Sequence, residues 1–233
     1  ISPDGSRLAL DIDDDNRDIW VWDFSRPQLR RVTSDPALDV EPVWSHDGQR
    51  LIFLSLRTGI GNVFWQSADG TGQAEPLTTG SRIRGADAMT SDGKGLVLRE
   101  FDGQGASDLT LLQLDDGARP VSLGTKALVR SAFEESNAEI SPDRRWLAYQ
   151  SNNTGAFEIY LRPFPQTEGR QWQISIGGGK EPLWSRDSRE LFYRGPDGAV
   201  MRVAMTAHSP TPMGTPTQLF AGSSYALSER GEW

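Results

Sequence analysis

The stretch Ser2-Pro3-Asp4-Gly5-Ser6-Arg7-Leu8-Ala9 begins with a tight-turn sequence and continues into a short apolar run. The turn, a hydroxyl residue followed by any residue, an Asp and a small or polar residue, occurs five times, at residues 2–5, 45–48, 90–93, 141–144 and 185–188. The aligned aspartates are Asp4, Asp47, Asp92, Asp143 and Asp187, so the spacings are 43, 45, 51 and 44 residues. An internal repeat of this length is the strongest indicator of fold in the sequence.

Short strand-like runs accompany each turn in a fixed order. One apolar run follows the turn directly, as in Arg50-Leu51-Ile52-Phe53, and a second comes later, as in Asn62-Val63-Phe64-Trp65. A weaker run closes the unit, in the third copy Arg119-Pro120-Val121-Ser122, and another precedes the next turn, as in Glu41-Pro42-Val43-Trp44. These runs are rich in β-branched and aromatic residues, and no window shows sustained helical periodicity. Four short strands per repeat are typical of a β-propeller blade.

The sequence therefore predicts an all-β fold, a β-propeller with four-stranded antiparallel blades, with about five blades present of a six-bladed parent. One propeller domain over residues 1–233 would contain blade units at about 1–35, 36–80, 81–124, 125–176 and 177–222, with a further blade starting at 223–233. In a five-bladed ring, Tyr225-Ala226-Leu227 would supply the missing inner strand of the first blade. Six blades are favoured because Ser228-Glu229-Arg230-Gly231 repeats the role of the opening turn, and the two would compete for one place.

The turn residues have a mechanical explanation. Pro presets φ, Asp bonds back to the backbone, Gly accepts a positive φ, and the Ser hydroxyl can cap the turn amides. The repeated aspartates are therefore interpreted as hairpin residues and not as catalytic or metal-binding ones. Arg144 and Ser188 replace the Gly of the other copies, which predicts strain or another turn type. Trp44 and Trp184 precede the turn serine and are predicted to pack between neighbouring blades.

The composition excludes several classes of function. The chain has 24 Lys+Arg against 32 Asp+Glu and a formal net charge of −8. A nucleic-acid binder needs a concentrated basic face, so this balance predicts no nucleic-acid partner. No apolar run approaches the length of a membrane-spanning helix, which predicts no direct membrane insertion by this chain. The absence of cysteine excludes disulfides, thiol catalysis and thiolate metal sites.

Two smaller motifs could carry chemistry but have simpler explanations. Asp11, Asp13 and Asp15 fit the first spacings of a calcium loop, yet Asn16 replaces its Gly and Trp22 its bidentate Glu. A solvated hairpin loop is therefore the favoured interpretation. The run Gly177-Gly178-Gly179 leads into a strand rather than a helix, which favours a flexible crossover between blades over a phosphate cradle.

Catalysis is not predicted for this chain. Its two histidines, His46 and His208, lie in a turn and in a Pro/Ser/Thr-rich loop, and a catalytic His would need a nucleophile and an orienting acid. There is no Gly-x-Ser-x-Gly elbow and no kinase signature. The sequence therefore predicts a non-enzymatic domain without a cofactor or a metal.

Three segments resemble TolB-like β-propeller repeats: Ser-Pro-Asp-Gly-x-Arg-Leu-Ala at 2–9, Asp-Ile-Trp-Val-Trp-Asp at 18–23 and Glu-Pro-Val-Trp-Ser-x-Asp-Gly at 41–48. Residues 158–193 are similar to the C-terminal propellers of bacterial transmembrane serine/threonine protein kinases, through Glu-Ile-Tyr-Leu-Arg-Pro-Phe-Pro at 158–165 and Glu-Pro-Leu-Trp-Ser at 181–185. The resemblance covers nearly the whole chain. It implies an extracytoplasmic ligand-sensing or protein-interaction module, tethered through a parent transmembrane segment to a kinase domain outside this chain.

Two alternatives for the parent protein remain open. One is a periplasmic TolB-like protein that binds an envelope lipoprotein, and the other is the gating propeller of a prolyl-oligopeptidase-like peptidase. Fold alone does not separate these possibilities, because one architecture hosts unrelated functions. The flanking coding sequence would separate them.

The candidate binding residues lie where the chain enters each inner strand, at the predicted mouth of a central channel. Four residues before each turn hydroxyl stand Glu41, Ala86, Asn137, Glu181 and Ser224. Of these, Glu41, Asn137 and Glu181 are the predicted binding residues. Such a polar and acidic rim could bind a protein or peptide, or a small ligand, with cations and cationic peptides among the candidates.

Overall fold

A computed structural model of the chain describes residues 1–13, 16–115, 122–206 and 212–221. Within these ranges the regular structure consists of nineteen β-strands and one turn of 3₁₀ helix. The chain divides into two compact units, Ile1–Ala132 and Phe133–Trp233. The fold is an all-β propeller, and the described residues form five antiparallel sheets, one for each copy of the repeat.

The first unit contains three antiparallel sheets, each built from consecutive strands. The first sheet has the order β1-β2-β3, and the next two have four strands each, β4-β5-β6-β7 and β8-β9-β10-β11. The strands are β1 (Arg7–Asp13), β2 (Arg17–Asp23), β3 (Gln28–Arg31), β4 (Asp39–Trp44), β5 (Arg50–Ser55), β6 (Asn62–Ser67), β7 (Glu75–Pro76), β8 (Arg84–Met89), β9 (Gly95–Phe101), β10 (Ser107–Leu114) and β11 (Ser122–Val129).

Neighbouring sheets of the first unit pack face to face through apolar side chains. Ile19 and Val21 of the first sheet meet Trp44 and Phe53 of the second in one buried cluster. A second cluster joins the second and third sheets and includes Ile52, Val63, Trp65, Leu77, Ala86, Leu96, Leu98, Leu112 and Leu114. Trp44 is 8% exposed, which confirms its predicted place between blades. Burial of such a side chain contributes about 2–3 kcal/mol.

The second unit contains two four-stranded antiparallel sheets, β12-β13-β14-β15 and β16-β17-β18-β19. The strands are β12 (Glu135–Ile140), β13 (Trp146–Ser151), β14 (Glu158–Pro163), β15 (Trp172–Gln173), β16 (Lys180–Trp184), β17 (Glu190–Arg194), β18 (Val200–Ala204) and β19 (Thr217–Phe220), with a 3₁₀ turn at Pro196–Gly198. Ile159 and Leu161 of the fourth sheet pack against Trp184 and Leu191 of the fifth. The predicted packing of Trp184 between blades is therefore confirmed.

The five repeated turns share one hydrogen-bonding scheme. The first C=O accepts the N–H of the fourth residue at 2.7–3.0 Å. The hydroxyl of the first residue donates to the Asp carboxylate at 2.6–2.7 Å. The same hydroxyl accepts the N–H five residues further on, which confirms the predicted capping role. Arg144 and Ser188 have φ of 59° and 60°, the left-handed region that glycine enters more cheaply, so their turns carry the predicted strain.

The outer strand of the third sheet differs from its predicted place. It is β11, Ser122–Val129, and it crosses the predicted boundary between residues 124 and 125. Residues 119–121 of the predicted strand lie outside the described residues. Strand β11 pairs with β10 along most of its length, yet its first six residues are exposed. Because neither face of this part of the strand is buried, its sequence does not show the alternation of apolar and polar residues that predicts a strand.

The first sheet has no inner strand among the described residues. The residues that bear on how the ring closes, Tyr225-Ala226-Leu227 and the turn at 228–231, lie outside the described part of the chain. The sixth blade of the parent therefore stays a prediction.

A hydroxyl latch closes the outer strand of three blades. Thr33, Thr78 and Ser175 follow the outer strands and accept the N–H of Ile19, Val63 and Ile159 respectively, at 2.7–2.9 Å. The same hydroxyls donate to the polar residue that precedes each N–H, which is Asp18, Asn62 or Glu158. Strands such as β7 and β15 have only two residues and so form few backbone hydrogen bonds with their neighbours. The hydroxyl latch adds side-chain hydrogen bonds to these few. Its sequence signal is the Thr or Ser at the end of the outer run in the first, second and fourth copies, which the sequence analysis missed.

Candidate functional site

The three predicted binding residues share one unusual backbone conformation. Glu41, Asn137 and Glu181 have φ of 58°, 49° and 55°, in the left-handed region. That region costs about 1–2 kcal/mol for a residue with a Cβ, and Asn tolerates it best. In each blade the strand register shifts at this residue, so the inner strand carries a β-bulge. A bulge re-aims a side chain out of the regular alternation of the strand.

Of the other two predicted rim positions, Ala86 does not share this geometry. In the third sheet the register shift falls at Asp87, between Ala86 and Ala88, and Ala86 carries no polar group. Ser224 lies outside the described residues. The structure therefore concentrates the polar rim on Glu41 in the first unit and on Asn137 and Glu181 in the second.

In the first unit, Glu41 is held by both neighbouring blades. Its N–H donates to Asp11 Oδ2 at 3.0 Å, and its Oε2 accepts from Arg99 Nη2 at 2.7 Å. Arg99 Nη1 also lies 3.7 Å from Asp87 Oδ1, so one guanidinium serves two carboxylates. The side chains of Arg99 and Asp87 are 11% and 3% exposed, which shields their ion pair from water. Glu41 is therefore fixed in place by a largely buried network.

The calcium-loop motif is engaged in the same network. Asp11 accepts the N–H of Glu41 and lies 3.3 Å from Arg17 Nη2. Its carboxylate therefore has protein partners, as the favoured hairpin interpretation requires. Asp15, together with its neighbour Asp14, lies outside the described residues.

In the second unit, Gln150 joins the two predicted residues. Its Oε1 accepts the N–H of Glu181 at 3.1 Å and Asn137 Nδ2 at 2.9 Å, and its Nε2 donates to Ser136 Oγ at 3.0 Å. The carboxylate of Glu181 faces Arg194 Nη1 at 3.1–3.2 Å, and the two side chains are 51% and 47% exposed. The structure thus brings Asn137 and Glu181 together through Gln150, which the sequence analysis did not single out.

The missed partners have a sequence signal. Asp11, Arg99, Gln150 and Arg194 each stand nine residues after a turn hydroxyl, and only the second copy has an apolar residue, Leu54, at this place. A polar residue inside an otherwise apolar strand, repeated in four of five copies, indicates a hydrogen-bonded position. Counting nine residues forward from each turn hydroxyl, as well as four residues backward, would therefore have found both the bulge residues and their hydrogen-bonding partners.

Neither predicted acidic residue, Glu41 or Glu181, offers an unpaired carboxylate. Glu41 and Glu181 each face an arginine, so a basic ligand would have to compete with Arg99 or Arg194. Burial raises the pKa of the phenols of Tyr149 and Tyr193, which lie on the strands opposite the two bulges of the second unit. Both phenols are therefore neutral at physiological pH. The rim is suited to directional hydrogen bonding rather than to capture of a free cation.

A cavity of about 530 Å³ adjoins Glu181 and is called the Lys180 cavity below. Its walls come from three segments of the second unit: the approach to β14, the crossover into β16 and the turn after β17. The lining residues are Ala156, Phe157, Gly178, Gly179, Lys180, Glu181, Arg194, Gly195, Pro196 and Gly198. It combines two cationic side chains, one carboxylate, one aromatic ring and several glycines.

The glycine run forms part of this cavity and is anchored. Gly177 and Gly178 donate their N–H groups to Glu158 Oε1 at 2.8 and 2.9 Å. The run connects β15 to β16, which is the predicted crossover, but these bonds make it a fixed loop rather than a flexible one. Glu158 is 4% exposed and also accepts the Ser175 hydroxyl, so the loop binds a carboxylate of its own chain.

The two histidines and a possible metal or membrane site are the remaining candidates. His46 is exposed in its turn, and its backbone N–H points to Met89 Sδ at 3.2 Å, while His208 lies outside the described residues. Among the described side chains, no three His, Cys, Asp or Glu residues are grouped so that they could hold a metal ion. In the described part of the chain, no helix has both the length and the apolar character needed to cross a membrane.

Comparisons with known proteins agree with this architecture. Residues 1–121 match the family model of the TolB beta propeller domain. The Tol-Pal system protein TolB of Helicobacter hepaticus is 30% identical over 98 residues, which are 42% of this chain and 23% of that protein. TolB from Acinetobacter baumannii has a similar structure, with a TM-score of 0.71 at 19% identity over 93% of this chain and 53% of that chain.

A peptidase shares the fold at lower similarity. Prolyl oligopeptidase B from Galerina marginata gives a TM-score of 0.58 at 13% identity, over 94% of this chain and 41% of that chain. At such identities the likeness concerns the fold alone. The chain spans less than two thirds of the length of each of these three proteins.

Proposed function

Because the chain belongs to the TolB β-propeller family, we propose that it is a non-enzymatic protein-interaction module of the bacterial cell envelope. The observation that carries the proposal is the repeated left-handed bulge, which presents Glu41, Asn137 and Glu181 at the same strand position of three blades. Their backbones are fixed by hydrogen bonds or register before any partner arrives. Preorganisation of this kind lowers the entropic cost of binding, which is why a strained, repeated position suits recognition.

The finer proposal places the module outside the cytoplasm, as the sensing domain of a membrane-anchored serine/threonine kinase. It rests on the resemblance of residues 158–193 to the propellers of such kinases. The partner would bind the rim, and the kinase domain would belong to another part of the parent protein. Phosphate transfer by this chain is not proposed, since the sequence contains no Gly-rich phosphate loop, His-Arg-Asp or Asp-Phe-Gly motif.

A second candidate is a TolB-like envelope protein that acts without an attached kinase. The similarity to TolB of H. hepaticus and A. baumannii favours it. The flanking coding sequence discriminates between the two. A kinase domain and a spanning helix would support the first, and a signal peptide with a small α/β domain would support the second. An α/β-hydrolase domain with a nucleophile elbow would instead indicate the gating propeller of a peptidase.

Protein binding through the rim can be tested by affinity capture from envelope extracts. The immobilised wild-type chain is compared with the double variant Glu41→Ala and Glu181→Ala, and with Glu168→Ala, which removes an exposed carboxylate outside the rim. We expect a partner identified by mass spectrometry to be recovered at least about tenfold less on the double variant and undiminished on the control. Equal recovery on all three proteins would refute the rim as the binding surface. Circular dichroism establishes that the variants are folded.

A further inference from the structure

We propose that the Lys180 cavity binds a carboxylate of a polypeptide partner, an Asp or Glu side chain carried by an extended segment. The inference rests on the proposed protein-binding function and specifies the chemistry of the partner at one rim position. It concerns the second unit alone. The cavity adjoins Glu181 and takes Glu181 itself as one of its walls.

Lys180 supplies the first cation of the cavity. Its side chain is exposed, and its ammonium lies 5.2 Å from the centre of the Phe157 ring. Within the described residues, no carboxylate forms an ion pair with it. An aromatic ring orients an ammonium without neutralising its charge, so Lys180 stays available to an anion.

Arg194 supplies a second and better oriented donor. Glu181 engages its guanidinium through Nη1, and among the described contacts Nε and Nη2 have no partner. A planar guanidinium presents two parallel donors that match the two oxygens of a carboxylate. Glu181 therefore restrains the Arg194 side chain through Nη1, while Nε and Nη2 of the guanidinium remain available to a ligand. With Lys180, the lining residues carry two positive charges against one negative charge.

The carboxylate of Glu158 adds a negative charge beside the glycine loop but is not among the residues that line the cavity. Its oxygens accept the N–H groups of Gly177 and Gly178 and the hydroxyl of Ser175. These donors occupy its oxygens, and among the described contacts it forms no ion pair with Lys180 or Arg194. The net charge of −8 gives no long-range attraction for an acidic partner, so recognition depends on Lys180 and Arg194 at close range.

The walls suit a peptide better than a free small acid. A Cβ at Gly195 would lie 2.8 Å from Met201 Cγ, so a larger residue would displace that wall. Gly178 has a φ of 122°, which side-chain-bearing residues rarely adopt. Backbone and the apolar surfaces of Phe157 and Pro196 therefore line much of the space. A volume of about 530 Å³ is in the range of ligand pockets and exceeds what one carboxylate fills, leaving room for the flanking peptide.

The test is a selection of displayed random heptapeptides on the immobilised chain, followed by affinity measurements on synthesised winners. We expect winners to be enriched in Asp or Glu, and their amide counterparts, with Asn or Gln, to bind about tenfold more weakly. The Lys180→Gln variant should weaken binding of a winner by a similar factor, Lys180→Arg should restore it, and Lys94→Gln should leave it unchanged. Sodium acetate and sodium succinate, titrated alone, should bind far more weakly than the peptide.

Each of the other possible outcomes would refute a specific part of this inference. Winners without acidic residues, or winners that bind Lys180→Gln with unchanged affinity, would refute the carboxylate assignment and leave the protein-binding function standing. Acetate binding as tight as peptide binding would replace the polypeptide by a small acid. Failure to select any peptide would refute the inference, whereas the proposed function fails only when envelope capture is equal on wild type and rim variant.

Discussion

The rim residues Glu41 and Glu181 have the same backbone and different surroundings. In the first unit, Arg99 reaches Glu41 from the next blade and is largely buried beside Asp87. In the second unit, Arg194 comes from the same blade as Glu181, and both side chains are about half exposed. The repeat therefore specifies the bulge and its conformation, while the charged partner varies from copy to copy. A buried network fixes one copy, and the other is open to a ligand.

Removal of the two arginines should give the largest difference between the units. Arg99→Met would leave Asp87 and Glu41 without their shared cation, and loss of one partner of a buried ion pair costs about 3–5 kcal/mol. Because Glu41 is partly exposed, we expect the lower end, about 3 kcal/mol, in the free energy of unfolding. Arg194→Met, the matched change at an exposed pair, should cost less than about 1 kcal/mol. Urea unfolding followed by tryptophan fluorescence measures both.

Equal losses for the two variants would contradict the contrast between a buried and an open rim. A smaller loss for Arg99→Met than for Arg194→Met would reverse it. Met is used because it keeps an unbranched apolar stem while it removes the guanidinium, so the comparison isolates the loss of the charged group.

The left-handed backbone should give a smaller and opposite effect. Glu181→Gly removes a half-exposed ion pair but also removes the cost of a Cβ in the left-handed region, whereas Glu181→Ala keeps that cost. We expect the Gly variant to exceed the Ala variant in free energy of unfolding by about 1 kcal/mol. Glu41→Gly and Glu41→Ala show whether Gly is also the more stable replacement where the carboxylate pairs with Arg99. Thermal unfolding would rank the stabilities of the four variants. An Ala variant as stable as its Gly counterpart would argue against strain at the bulge.

The sequence was most informative where the backbone imposes residue types. Asp and Gly recur because the turn needs a side-chain acceptor and a positive φ, and Trp44 and Trp184 recur because each sheet must cover its neighbour. Glu41, Asn137 and Glu181 were found by counting back from the turn. Their backbone strain and their arginine partners were not found, because positions were counted only backward from each turn, whereas Arg99 and Arg194 stand nine residues after a turn hydroxyl.

The exposed strand β11 and the Lys180 cavity were beyond prediction for related reasons. A strand whose residues face water shows no apolar alternation, so the pattern that defines the other strands is absent from Ser122–Val129. The cavity is assembled from three segments, at residues 156–157, 178–181 and 194–198, that are not adjacent in the sequence. Gly178 and Gly195 can be recognised as wall residues only from the structure, which shows how close a Cβ at each position would come to neighbouring residues.

Lowering the pH should have the smallest of these effects on the free energy of unfolding, and the effect should be similar in the two units. Hydrogen bonds from the hydroxyl and N–H of Thr71 and from Ser67 lower the pKa of Asp69 to about 2, and hydrogen bonds with Ser185 leading lower the pKa of Asp187. A carboxyl with a depressed folded-state pKa stabilises the fold above the unfolded-state pKa near 4, and that contribution is lost as pH falls towards 2. For exposed Asp69 we expect less than about 1 kcal/mol after screening by solvent.

The measurement is the free energy of unfolding of wild type and Asp69→Asn near pH 6 and near pH 3. The variant should be less stable near pH 6, with the gap narrowing near pH 3. A gap that widens on acidification would mean that the sign of the linkage is wrong. Asp187→Asn, in the second unit, should follow the same trend, in contrast to the arginine variants.

The anchored glycine loop gives the molecule a built-in reporter. The amides of Gly177 and Gly178 are tied to Glu158, whose other oxygen is part of the hydroxyl latch at Ser175. Any event that loosens the entrance of β16 must break these bonds, and the deuterium uptake of two adjacent amides then rises together with that of Ile159. Mass spectrometry of one peptide over this loop and a second over Ile159 can therefore follow opening of this part of the second unit without a dye or a mutation.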